Sequence, residues 1–251
     1  MAHNFYKYKS GRYGLLPLKN RTAVITGATG ESGATLARDL AALQINLALI
    51  SRDSTRLSTL IRRLNLDDRQ VYPYVVDLLD PAAAQTAAAA IAARFGRVDI
   101  LIHLVGGWIG GKTILDTPRH DLDAMIQQHV WSSFNSVQAF LPYMMKNDWG
   151  RLLMVSSPSA VSPSVRGGAY AIAKAGQEAL VMTLAQELKG SGVTANLLVV
   201  KMIDVERQKV RSPSTERAAW TTPEELSKAV MFLLSDEGGA VNGARIPLYG
   251  G

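Results

Sequence analysis

Seven short runs of apolar and β-branched residues recur along the chain: "TAVIT" (22–26), "NLALI" (46–50), "VYPYVV" (71–76), "ILIHLV" (100–105), "RLLMVS" (151–156), "TANLLVV" (194–200) and "ARIPL" (244–248). The segments between them carry helical periodicity or composition. Such an alternation predicts a parallel sheet with helices on both faces. The alanine-rich stretch 80–96 fits as a crossover helix, because Asp80 can cap it, Pro81 suits its first turn and alanine is the best helix former. Residues 222–239 repeat that grammar with a Thr cap, Pro and Glu in the first turn, an apolar stripe and terminal glycines. No linker or internal repeat interrupts the series. The expected fold class is therefore α/β, one doubly wound domain whose sheet has about seven parallel strands.

Composition narrows the function classes. With 47% hydrophobic residues in 251, the chain can bury a sizeable core. The absence of cysteine excludes disulfides and thiolate metal sites, and no metal is expected. No apolar run approaches the roughly 18 residues of a membrane helix, and the first residues lack the apolar stretch of a secretory signal, so a cytoplasmic protein without a membrane partner is expected. The net charge of +6 suggests nucleic acid until it is located: Lys7, Lys9, Arg12, Lys19 and Arg21 all precede the first acid, Glu31. The excess belongs to a basic N-terminal extension over residues 1–20. No nucleic-acid-binding module accompanies it, and no nucleic-acid partner is expected.

Two stretches carry candidate chemistry. In "TAVITGATGESGATLARDLAAL" a strand is followed by Gly27, Gly30 and Gly33 and then by a helix, the order that lets a backbone approach a pyrophosphate at a helix N-terminus. The next strand ends "LALISRD": instead of an acid for the ribose of NAD it offers Arg52, which can pair with a 2′-phosphate. This favours NADPH over NADH, unless Arg52 is only a surface charge. In "GGAYAIAKAG" (167–176), Tyr170 and Lys174 are four apart and share one helix face, a spacing too common to decide anything alone.

The order of landmarks decides more: "TGATGESG" (26–33), "VVDLLD" (75–80), "FGRVDILIHLVGG" (95–107), "GRLLMVSS" (150–157), "YAIAK" (170–174) and residues 222–251. From Thr22 to Gly251 the chain resembles the short-chain dehydrogenase/reductase family in its compact form. The resemblance implies a Rossmann-type dinucleotide-binding oxidoreductase domain over 21–251, moving a hydride between NADP(H) and a carbonyl or alcohol substrate. It implies Tyr170 as general acid/base, Lys174 holding the nicotinamide ribose and lowering the phenol pKa, and Ser157, thirteen residues before the tyrosine, steadying the substrate oxygen. It further implies cofactor contacts from Gly27, Thr29, Glu31, Ser32, Arg52, Asp77, Leu78, Val105, Gly106 and Ile203, besides Tyr170 and Lys174. Asp77 and Leu78 would flank the adenine. A homotetramer or dimer is implied through helices near 120–146 and 170–189, where Phe134, Phe140, Ala175 and Ala179 could serve the contact or face the sheet.

Four positions depart from the family pattern. Glu31 stands where compact members carry glycine, "HLVG" (103–106) replaces "NNAG", His129 occupies the place of a relay asparagine, and Val200-Lys201 replaces a proline-glycine pair. His129 would either relay protons or pack at a helical interface. The basic start of the loop 201–220 would admit an acidic or phosphorylated substrate. Local likeness of "HLVGGWIGG" (103–111), "MIQQHVWSS" (125–133) and Trp220 to dihydropteridine reductases gives a second reading, with a pterin near Trp108. A third reading is a nucleotide sensor or scaffold that has lost the chemistry.

Overall fold

The computed structural model describes residues 18–249, so nearly all of the basic extension expected over 1–20 lies outside the described residues. Seven strands pair in the order β3-β2-β1-β4-β5-β6-β7, every pairing parallel. They are β1 (Thr22–Thr26), β2 (Asn46–Ser51), β3 (Val71–Val75), β4 (Ile100–His103), β5 (Gly150–Ser156), β6 (Val193–Val199) and β7 (Arg245–Pro247). Each apolar run forms a strand, with ends shifted by no more than two residues. Pro73 is tolerated because β3 is an edge strand, where a missing N–H costs no internal bond. The strand within the run 100–105 ends at His103: the Leu104 amide still donates to the Thr26 carbonyl at 3.1 Å, and Leu104 and Val105 then pass beside Gly27.

The connections are helical: α1 (Glu31–Ala42), α2 (Ser54–Leu64), α3 (Pro81–Phe95), α4 (Arg119–Ile126), α5 (Ser132–Met144), α6 (Gly168–Glu187), the short α7 (Gln208–Arg211) and α8 (Thr215–Ala218), and α9 (Pro223–Leu234). Asp80 caps α3 by accepting from the amides of Ala82 and Ala83, and Gly96 ends it in the left-handed region at φ +75°. Thr222 and Glu225 form a capping box on α9. The sequence expects that helix to run up to the terminal glycines at 238–239, but Ser235 leaves it in an extended conformation and residues 237–240 form a separate turn. The long helix expected over 120–146 is interrupted by a π-helical turn, Gln127–Trp131, between α4 and α5.

Alternate residues of each strand feed two cores. Val24, Leu101, Leu152 and Met154 pack with α3, α5 and α6, while Ile25, Leu47, Leu49 and Leu153 pack with α1, α2 and α9. Phe140, weighed as an interface residue, is fully buried in the first core and faces the sheet; Phe134, Ala175 and Ala179 are exposed.

Candidate active site

The loops that could bind or react all leave the C-terminal edge of the sheet. Gly27 ends β1 at φ +69°, and a Cβ there would lie 3.0 Å from the Leu104 carbonyl carbon, so glycine lets this turn run against the segment after β4. At Gly33 a Cβ would lie 2.5 Å from the Ala28 carbonyl oxygen, which explains how closely α1 packs on the turn. Gly30 gives α1 no side-chain cap, leaving its first amides open to an anion. Glu31 is exposed at the first position of that helix and Ser32 is half-buried.

The adenosine side follows from β2. The Thr29 hydroxyl lies 3.1 Å from the Ser51 hydroxyl, the last residue of that strand. Arg52 is exposed, its Nη1 3.9 Å from Asp77 Oδ2. Arg56 Nη2 donates to the Thr29 carbonyl at 3.1 Å. Arg56 escaped the sequence reading, although a cation in the first turn of a helix opposes the dipole and so calls for another reason to be there. Leu78 turns its side chain into the core and its carbonyl accepts from Asn135 Nδ2 at 2.8 Å, leaving only its backbone for a base. Toward the other end, Val105 is half-buried, and exposed Gly106 lies so near His129 that a Cβ would be 3.2 Å from its Cε1. Ile203, half-buried, bridges to Thr221 at the start of the segment that follows β6.

Ser157 follows β5, is buried, and accepts from the Ser159 amide at 3.2 Å. Tyr170 stands in the first turn of α6; burial pushes its phenol pKa up and the Ser157 hydroxyl opposes the rise. Lys174, one turn on, is buried with its Nζ 5.9 Å from the Tyr170 ring centroid. That Nζ donates to the Val155 carbonyl and to Gln177 Oε1, both at 2.8 Å. Burial brings the Lys174 pKa down to about 7, against the pull of Glu178. Gln177 Nε2 donates to Ser133 Oγ at 2.9 Å, and the Ser133 hydroxyl donates to the His129 carbonyl at 2.6 Å.

His129 lies in the π turn, its ring edge-on to Tyr170 with centroids 5.4 Å apart. Its Nε2 is 2.9 Å from the Gly107 carbonyl, which can only accept, so Nε2 carries the proton and the buried Nδ1 is a bare acceptor without a partner. His103 sits behind it, between the hydroxyls of Thr26 (2.9 Å) and Ser132 (3.3 Å). Burial first, then the Lys174 charge, lowers His129 to about 4 and His103 to about 3, so both are neutral at neutral pH.

The family model described as short chain dehydrogenase matches residues 21–216. The chain belongs to the short-chain dehydrogenase family. The D-beta-hydroxybutyrate dehydrogenase of Rhizobium meliloti is 29% identical over 255 residues, covering 92% of this chain and 98% of that protein. The 3-oxoacyl-(acyl-carrier-protein) reductase of Thermotoga maritima is 28% identical over 244 residues, covering 93% and 98%. A solved short-chain oxidoreductase of Pseudomonas aeruginosa, described as containing an atypical catalytic center, shares 25% identity with a TM-score of 0.81, covering 93% of this chain and 97% of that one.

As a member of this family of dehydrogenases and reductases, the short-chain dehydrogenase described here is an oxidoreductase. Its sheet edge runs unbroken from Asp77 and Arg52 through Thr29 and Gly27 to Gly106, His129 and Tyr170. The segment after β6 folds back over this edge: Arg207 is paired to Glu224 of α9 at 2.5 Å and is also drawn on by Glu31 of α1. Among the described residues of this dehydrogenase no helix is long and apolar enough to cross a membrane, and no cluster of acids and histidines could hold a metal ion.

Proposed function

We propose that this enzyme interconverts a carbonyl compound and its alcohol with NADP(H), through Ser157, Tyr170 and Lys174. The observation that carries the reading is the convergence of a half-buried phenol, a hydroxyl that opposes its raised pKa and a buried ammonium 5.9 Å from its ring, at the end of a dinucleotide cradle. Gly27, Thr29, Ser32, Val105, Gly106 and Ile203 would line the cofactor, with Glu31 turned to solvent. Arg52 and Arg56 would take a 2′-phosphate, and Asp77 with the Leu78 backbone would border the adenine. A nicotinamide dinucleotide supplies or accepts the hydride there.

In the reductive direction Tyr170 gives its proton to the substrate oxygen while the Ser157 hydroxyl holds that oxygen. Lys174 in its charged form stabilises the phenolate left behind. Replacing Tyr170 with Phe is expected to abolish turnover while the NADPH Kd, read by fluorescence, changes less than about twofold, because only a proton-carrying hydroxyl is lost. Undiminished turnover in that variant refutes the assignment.

Residues 21–251 would work as one domain in a cytoplasmic homotetramer or dimer, with exposed Trp131 and Phe134, a T-shaped pair 6.1 Å apart, at the contact. The named relatives act on hydroxybutyrate and oxoacyl substrates and lend no support to the pterin reading, and their enzymatic names weigh against a mere sensor.

A further inference from the structure

The large apolar side chains most exposed to water are not scattered. Among the described residues the six highest are Leu115, Val165, Val210, Ile114, Val161 and Trp108, at 97%, 91%, 76%, 68%, 67% and 65%. All six lie on the three segments that follow β4, β5 and β6 at the C-terminal edge of the sheet. Two of those segments are tied together, since the Gly111 amide donates to the Arg166 carbonyl at 2.8 Å. Ile114 rests on the start of α6, its Cδ1 filling the place a Cβ would take at Gly168, two residues before Tyr170. Ile109 packs with Ala169, Ala173 and Tyr170 in one small apolar cluster, so the apolar rim continues inward to the phenol.

Four cations of the same segments are engaged elsewhere, while Arg166 and Arg211 form no ion pair among the described residues. Lys112 pairs with Asp121 at 2.7 Å, Lys209 with Glu225 at 3.0 Å and Arg207 with Glu224 at 2.5 Å, while Lys201 lies 5.4 Å over the Tyr249 ring. The basic start of the 201–220 loop is therefore spent on the protein itself. Concentrated apolar surface at the entrance to a polar centre marks a ligand that brings apolar area of its own.

We infer that the substrate is an uncharged ketone or secondary alcohol carrying a bulky apolar body, which lies on this rim while its oxygen reaches Ser157 and Tyr170. The inference rests on the proposed reading of that site. It makes the enzyme a poor match for acidic or phosphorylated substrates whose anion would be laid on Ile114 and Leu115.

The test uses the full-length protein, a series of 2-alkanones from butanone to decanone, and oxo acids bearing a terminal carboxylate at matched length. Turnover is followed by NADPH oxidation, and binding to the NADP-loaded enzyme by tryptophan fluorescence. kcat/KM is expected to rise about fourfold per methylene along the neutral series, the gain of burying one more methylene. The carboxylates should fall at least tenfold below their neutral counterparts, and Leu115→Asp combined with Val165→Asp should flatten the gradient. Turnover that is flat with chain length, or better with the carboxylates, overturns the inference and leaves the Tyr170 reading intact. A chain-length gradient in binding without any turnover upholds the inference and overturns the catalytic reading. Neither gradient nor turnover overturns both.

Discussion

Lys174 Nζ donates to Gln177 Oε1 at 2.8 Å, and both side chains are buried on one face of α6. The direction of that bond is fixed from behind. The Ser133 proton is committed to the His129 carbonyl, so Ser133 Oγ accepts from Gln177 Nε2 and the amide oxygen must face the lysine. A neutral amide holds the ammonium with a dipole and adds no opposite charge, consistent with a pKa drawn down to about 7 by burial against the pull of Glu178.

Two substitutions at Gln177 should move the titration of Lys174 in opposite directions. Gln177→Leu removes an acceptor that favours the charged form and lowers the pKa further; Gln177→Glu sets a carboxylate against it and raises the pKa. The limb of the kcat/KM profile near neutrality should shift by about one unit each way, with kcat for the Leu variant falling about tenfold. Gln177 then acts through Lys174 as a positioning residue. Shifts in the same direction, or no shift, remove that role.

Arg56 holds the Thr29 carbonyl, and Arg52 follows Ser51, the last residue of β2, which is no acid. Each Arg→Ala change should weaken NADPH about tenfold, the low end for a hydrogen bond to a charged group, because both side chains are solvent-exposed. NADH, which lacks the 2′-phosphate, should bind within about twofold of its original Kd, and the NADPH loss should shrink as salt screens the pair. Fluorescence titrations with both nucleotides at two ionic strengths read the result. Equal weakening of the two nucleotides places the arginines elsewhere.

Periodicity and punctuation made most of the fold legible. Alternating apolar runs give all seven strands, and Asp80, Gly96 and Thr222 mark helix ends that the structure keeps. What stayed hidden depends on rotation about a helix axis or on pairing at a distance. Phe140 and Phe134 are both apolar residues on α5, yet one is in the core and the other is exposed, and the π turn at 127–131 shifts the faces of the helix past the expected phase. The placement of the glycine turn, Ser157, Tyr170 and Lys174 at one edge of the sheet was legible because local motifs fix each of them. Arg56 and Gln177 were not, since their meaning comes from the Thr29 carbonyl and from Ser133, 27 and 44 residues away.

Gly33 offers a stability test free of the chemistry. A Cβ at this position would stand 2.5 Å from the Ala28 carbonyl oxygen, and the obstacle is backbone that cannot swing aside. Gly33→Ala should therefore cost about 1–3 kcal/mol despite the better helix propensity of alanine, as overpacking does. In a chain of this size that lowers Tm by about 3–10 °C. Gly30→Ala is the control, since its Cβ would come no nearer than 3.6 Å to the Gly27 carbonyl oxygen. A Gly33→Ala protein as stable as the parent would mean that α1 can move off the turn.

The two buried histidines set the behaviour in acid. In the unfolded chain each takes its proton near pH 6.5, whereas folding holds His129 neutral down to about 4 and His103 down to about 3. Between those values the unfolded state binds more protons, so stability falls as the pH drops through that window, by up to about 1.4 kcal/mol per pH unit for each histidine. Carboxylates also titrate there, but they are common to parent and variant. Denaturant midpoints at pH 7, 5.5 and 4.5 should therefore fall less steeply in His129→Asn and in His103→Gln than in the parent. Down to pH 4.5 the two effects should be nearly equal, because both folded-state values lie below that pH. Parallel slopes in all three proteins would show that these imidazoles gain their protons without opening the fold.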